Sequence, residues 1–146
     1  MTGSSGIGVR TPLEFNLDST LESVDAAEAV VLEMAGRLGL EEEEQHKLGM
    51  AVRESMVNAV IHGNRLSPHK KVRLSLYNSG DRLTVEIADQ GDGFDPSVLP
   101  DPLAQENLLR QSGRGLLLIR AFVDELDIRR VEPSGTVVKL IKYLNR

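Results

Sequence analysis

Lys71 to Gly93 reads KVRLSLYNSGDRLTVEIADQGDG. In both halves of this stretch apolar residues alternate with polar or small ones, the period of a strand with one buried face. Asn78-Ser79-Gly80-Asp81, between the halves, has the composition of a tight turn. The stretch therefore predicts a β-hairpin, whose second strand runs directly into the sequence Asp89-Gln90-Gly91-Asp92-Gly93.

A strand and a helix are predicted upstream of the hairpin. Residues 13–17 alternate between apolar and polar side chains, which indicates a short strand. Ser19 followed by Glu22 forms a capping box, and apolar residues then recur at helical spacing until Gly39 ends the helix.

A second helix is expected to begin within Glu41–Glu44, because carboxylates suit the positive end of the helix dipole. It should run to Ile61 or His62, just before Gly63. The apolar spacing predicts a core face made of Leu48, Ala51, Val52, Ser55 and Ala59.

The remainder predicts a long loop over 90–115 with a short helix at 103–109, and then a third helix over Gly115–Asp124. Two closing strands fit Leu126–Val131 and Thr136–Tyr143. The order β-α-α-β-β-α-β-β, with hairpins as connections, predicts an α+β fold. We expect a two-layer α/β sandwich, with a mixed, mostly antiparallel sheet and helices on one face.

Bulk composition is that of one soluble globular domain. The chain has 146 residues, of which 40% are hydrophobic and 27% charged. We expect a flexible tail over residues 1–10 and a single domain over 11–146. The net charge of −5 and the lack of a basic stripe argue against nucleic acid as a partner.

Other features of the composition concern the compartment. The absence of cysteine fits a reducing compartment, so the cytoplasm is the expected location. No apolar run approaches the roughly 20 residues that span a bilayer, and the N-terminus lacks the regions of a signal peptide.

Polar residues at four-residue spacing mark the second helix. Glu54, Asn58 and His62 would share one edge of that helix. His62 could contact a ligand, but a bond to backbone at the helix end is the favoured expectation, because unpaired carbonyls lie there.

Two glycine turns and a strand start complete the set of motifs. In D-x-G-x-G, Gly91 and Gly93 would let the backbone approach a ligand, while Asp89 could accept a hydrogen bond from an exocyclic amine. The turn Gly113-Arg114-Gly115 opens a helix whose free N–H groups could meet phosphate oxygens. Thr136 follows Gly135 at the start of the last strand.

In this order, E-x-x-x-N-A-x-x-H-G, D-x-G-x-G-F-D-P, S-G-x-G-L and G-T resemble motifs of one ATP-binding superfamily. It comprises gyrases, heat-shock chaperone ATPases, sensor histidine kinases and mismatch-repair ATPases. Within it the chain is most similar to the bacterial anti-sigma factor serine kinases, whose G-x-G-L-x-x-I-x-x-F-x-D-E sequence is matched by residues 113–125. The resemblance covers roughly 13–143 and implies binding of ATP or ADP with Mg²⁺.

The resemblance also implies residue roles. Asn58 would hold Mg²⁺ against the phosphates, and Glu54 would be the general base. Asp89 would read the adenine amine with support from Thr136. Gly91 and Gly93 would shape the base and ribose side of the pocket. At the end of a mobile lid over residues 96–112, the turn that would close over the phosphates is formed by Gly113, Arg114 and Gly115.

For partners, the resemblance implies a sigma factor that is sequestered, an anti-anti-sigma protein that is phosphorylated on serine, and a homodimer. A detached sensor histidine kinase domain would need a phosphoacceptor helix pair upstream, and too few residues precede Glu54. A gyrase-like ATPase would need a second domain. A non-catalytic nucleotide-binding switch is the remaining alternative.

Overall fold

The computed structural model describes residues 12–91 and 115–144. Their strands are β1 (Leu13–Asp18), β2 (Lys71–Asn78), β3 (Arg82–Asp89), β4 (Glu125–Arg130) and β5 (Thr136–Tyr143). Their helices are α1 (Leu21–Arg37), α2 (Glu42–Val57), a π-helix (Asn58–Gly63) that continues α2, and α3 (Gly115–Phe122).

The five strands form one sheet in the order β1-β2-β3-β5-β4, and every neighbouring pair is antiparallel. In the predicted hairpin, Leu74 pairs with Ile87 and Leu76 with Val85. Its turn is closed by the Ser79 N–H, which donates to the Arg82 carbonyl at 3.0 Å. The α+β class and the antiparallel hairpins predicted from the sequence are therefore confirmed.

Helices α1 and α2 pack against each other, and α3 packs on α2. The predicted core face of α2 is correct, since all five of its residues are at most 4% exposed. Met56, which the apolar spacing did not assign to the core, is fully buried as well. One apolar core thus joins the helices to a single face of the sheet.

The predicted N-terminal cap of α1 is wrong by one residue. Thr20 is the cap, and its Oγ1 accepts from the Ser23 N–H at 3.3 Å. Ser19 is buried instead, and its hydroxyl donates to the Lys70 carbonyl at 2.6 Å. A long-range contact therefore competes successfully for the side chain that the local pattern had assigned to capping.

Two other helix predictions also differ from the structure. The second helix is not α-helical throughout, because its last turn, Asn58–Gly63, is a π-helix. The third helix ends at Phe122 rather than Asp124. The predicted short helix at 103–109 and the N-terminal tail lie outside the described residues.

A buried lysine on β5 fixes the C-terminal end of α3. The Lys142 ammonium donates to the Phe122 carbonyl at 3.3 Å and pairs with the Glu44 carboxylate at the start of α2. The hydrogen bond from Lys142 lowers the pKa of Glu44 below its usual value. Since the same ammonium contacts both helices, α3 is held in place beside α2.

No helix within the described ranges has both the length and the apolar character needed to cross a membrane.

Candidate nucleotide site

Glu54 and Asn58 lie half-buried where α2 becomes the π-helix. The π-helix begins at Asn58, whose N–H still donates to the carbonyls of both Glu54 and Ser55 in the last turn of α2. π-Helical turns are rare and frequently occur at functional sites. The four-residue spacing predicted a shared helix edge, and the structure places Glu54 and Asn58 on consecutive turns.

His62 is exposed near the end of the π-helix. Within 12–91 and 115–144, no hydrogen bond of its side chain is present. The expected bond from His62 to helix-end backbone is therefore wrong for the described part of the chain.

Asp89, the last residue of β3, faces the end of the π-helix. A Cβ placed on Gly63 would lie 2.4 Å from Asp89 Oδ2 and 2.5 Å from its Cγ. These distances are far below van der Waals contact, so only glycine fits at position 63 with the carboxylate in this place. Through Gly63, the helix that carries Asn58 ends directly against Asp89.

Gly91 is required by packing against that same helix end. A Cβ on Gly91 would lie 1.8 Å from the Gly63 carbonyl oxygen. The described glycines with positive φ are Gly39, Gly80 and Gly135, and Gly91 is not among them. The sequence predicted that Gly91 lets backbone approach a ligand; in the described residues its missing side chain makes room for protein backbone, the Gly63 carbonyl.

Thr136 pairs with Asp89 across β3 and β5. The residue before it, Gly135, has φ of 122°, and a Cβ there would lie 2.6 Å from the Asp89 carbonyl oxygen. Gly135 thus allows β5 to begin immediately beside Asp89. The structure brings together three of the predicted site residues, Asp89, Gly91 and Thr136.

Burial dominates the electrostatics of the Asp89 carboxyl and raises its pKa above the usual 3.8. The backbone N–H groups of Gly91 and Thr136 oppose that rise by stabilising the ionised form, as does the charge of Lys70. The Gly91 N–H donates to Asp89 Oδ1 at 3.0 Å. The carboxylate is therefore oriented by backbone donors and is suited to accept a further hydrogen bond.

Asn64 is a residue of this site that the sequence reasoning missed. It is 1% exposed, and its side-chain oxygen accepts from the Gln90 N–H at 2.8 Å. The E-x-x-x-N-A-x-x-H-G motif ends at Gly63, one residue before it. A polar amide directly after Gly63, at a helix end, was the available signal.

Several predicted residues lie outside the described ranges. They are Gly93, Gly113 and Arg114, together with the expected lid over 96–112. Gly115 is described as the first residue of α3.

The family model for the histidine kinase-like ATPase domain matches residues 17–142. The chain belongs to this family. The matched region includes every predicted site residue, from Glu54 to Thr136.

Relatives of known name share nearly the whole length of the chain. An anti-sigma F factor from Thermoanaerobacter sp. (strain X514) is 29% identical over 136 residues, covering 90% of this chain and 93% of that protein. Serine-protein kinase RsbW from Bacillus subtilis (strain 168) is 30% identical over 139 residues, covering 91% and 86%.

Two solved structures share the fold. The RsbU and RsbW domains of Rv1364c from Mycobacterium tuberculosis match with a TM-score of 0.63 and 23% identity, over 94% of this chain. This chain spans only 33% of that protein's chain. The SiaB-SiaC complex from Pseudomonas aeruginosa matches with a TM-score of 0.64 and 17% identity, over 88% of both chains.

We predict that Gly63→Ala weakens ADP binding by about tenfold or more, because the new methyl group displaces the Asp89 carboxylate. Titration calorimetry measures the affinity. Gly36→Ala in α1 is the matched control, since the nearest atom to its Cβ would be the Gln45 Oε1 at 3.7 Å, an ordinary van der Waals contact. The control should bind ADP normally, and its stability should rise by up to about 1 kcal/mol. Equal ADP affinity in both variants would contradict the placement of Asp89 in the site.

Proposed function

We propose that this protein is an anti-sigma factor and an ATP-dependent protein serine kinase. It sequesters a sigma factor and phosphorylates a serine of an anti-anti-sigma protein. Relatives named anti-sigma F factor and serine-protein kinase match over almost their whole length, which supports the proposal. The single observation that carries the kinase step is Glu54, half-buried one helical turn before Asn58.

Glu54 is proposed as the general base. The substrate serine oxygen forms a bond to the γ-phosphorus of ATP, the bond from that phosphorus to the β–γ bridging oxygen breaks, and ADP leaves. The hydroxyl proton passes to the Glu54 carboxylate. Within the described ranges no ion pair or hydrogen bond occupies that carboxylate, so it is available to accept the proton.

Asn58 is proposed as the protein ligand for Mg²⁺. No group of three or more His, Cys, Asp or Glu side chains that could hold a metal occurs in the described part of the chain. The residues there fit a Mg²⁺ ion that takes a single amide oxygen from the protein, because this ion usually keeps waters and substrate phosphate oxygens in its shell. When bound, Mg²⁺ would neutralise phosphate charge during transfer.

Asp89 is proposed to accept a hydrogen bond from the adenine amine, supported by Thr136 beside it. Gly91 would shape the base pocket by allowing the approach to Gly63. We assign Gly93 to the same side of the pocket. Contacts to the phosphates are assigned to the second glycine turn, formed by Gly113, Arg114 and Gly115.

The proposal places the protein in the cytoplasm, where ATP and sigma factors meet. We also propose that the protein forms a homodimer. Light scattering on the purified protein would test this by measuring its molar mass in solution. The sigma factor and the anti-anti-sigma protein would compete for this one small domain. That competition would regulate how much sigma factor is sequestered.

We expect Glu54→Gln to lower the rate of phosphate transfer by about 10²–10⁴-fold, because an amide cannot take the serine proton. Transfer from labelled ATP to candidate anti-anti-sigma proteins measures the rate. Glu33→Gln is the matched control, since Glu33 is exposed and, among the described residues, pairs only with Arg37 on its own helix. Unchanged transfer by Glu54→Gln would contradict the assigned base. ADP binding without transfer in the wild-type protein would favour the non-catalytic switch.

For Asn58→Ala we expect the Mg²⁺-dependent part of the ADP affinity to fall by about tenfold, because an ion ligand is lost. Calorimetry with Mg²⁺ and then with a chelator separates that part from metal-independent binding. Asn16→Ala on β1 is the control, because Asn16 is exposed on the edge strand. A variant at Asn58 that keeps the full Mg²⁺ effect would refute the metal assignment.

A further inference from the structure

The Asn64 side-chain amide forms hydrogen bonds with three separate segments of the chain. Its Nδ2 donates to Ser19 Oγ at 2.8 Å and to the Lys71 carbonyl at 3.0 Å, while its Oδ1 accepts from the Gln90 N–H at 2.8 Å. The two acceptors and the one donor fix which way the amide faces. Because Asn64 is 1% exposed, no solvent competes with these bonds.

Two more hydrogen bonds close the network around Asn64. Ser19 Oγ donates to the Lys70 carbonyl at 2.6 Å, and the Lys71 N–H donates to Gln90 Oε1 at 2.5 Å. The residues involved follow β1, begin β2 and follow β3. The network therefore ties together the ends of three adjacent strands, and such a connected set resists distortion more than its separate bonds would.

The network controls the peptide that follows Asp89. Asn64 holds the Gln90 N–H, and the next amide, that of Gly91, donates to Asp89 Oδ1 at 3.0 Å. The residue before Asn64, Gly63, lies against the other side of the same carboxylate. Asn64 is thus connected to Asp89 through both Gly63 and Gln90.

We propose that Asn64 is a positioning residue for nucleobase recognition, acting by fixing the Asp89 carboxylate where it meets the base. This inference rests on the proposed role of Asp89. A correctly placed carboxylate favours a base with an exocyclic amine over one with a carbonyl at the same position. Asn64 thereby contributes to specificity for adenine without touching the nucleotide.

The test compares the affinities of ADP and inosine diphosphate, which differ at that amine. Asn64→Asp keeps the size and the acceptor for the Gln90 N–H but loses both N–H donors. We expect the ADP preference to fall by about tenfold. A merely structural defect lowers the active fraction equally for both nucleotides and leaves their affinity ratio unchanged. Asn16→Asp, an exposed charge-matched control, should keep the wild-type ratio.

Two further variants make the outcomes separable. Asp89→Asn should abolish the ADP preference, and if it does not, the proposed recognition by Asp89 itself fails. Ser19→Ala removes one partner of Asn64 and should lower the preference by about two- to threefold. It serves as the test if Asn64→Asp does not fold. An unchanged ratio in the folded Asn64 or Ser19 variant, with a lost preference in Asp89→Asn, would overturn the positioning role alone.

Discussion

The contact between the Asp89 carboxylate and Gly63 is the constraint on which the arrangement of the site depends. It requires the π-helix to end against the last residue of β3, with no side chain between them. Gly91 must then pass the Gly63 carbonyl, and Gly135 must pass the Asp89 carbonyl. Three glycines from separate segments therefore allow backbone to pack closely around Asp89.

This arrangement has an energetic cost that points to function. Burial raises the pKa of Asp89 above its usual value, so the folded state binds the proton more tightly than the unfolded state does. Ionised Asp89 consequently lowers the free energy of unfolding at neutral pH, and this loss is relieved as pH falls through the raised pKa. A buried carboxylate that reduces stability, held by the N–H groups of Gly91 and Thr136, is typical of a binding site.

Local pattern predicted the strands, the hairpin and the buried face of α2, because each depends on periodicity within a few residues. It could not predict that Thr20 rather than Ser19 caps α1, because Ser19 instead donates to the Lys70 carbonyl, 51 residues away. Local sequence pattern likewise could not predict the hydrogen bonds of Asn64, because its partners come from three separate segments of the chain. The sequence predicted a close approach at Gly91 but could not name the Gly63 carbonyl, because only the folded chain brings the two residues together.

The case for nucleotide binding and the proposal of phosphate transfer rest on different parts of the molecule. The case for binding rests on family membership and on the surroundings of Asp89, whereas the proposed transfer rests on Glu54, one helical turn before the π-helix. A crystal structure with ADP and Mg²⁺ tests the central claim most directly. The account predicts the adenine amine within about 2.7–3.2 Å of the Asp89 carboxylate, with Asn64 still bonded to the Gln90 N–H. A base bound elsewhere, with Asp89 making no contact to it, would contradict the account.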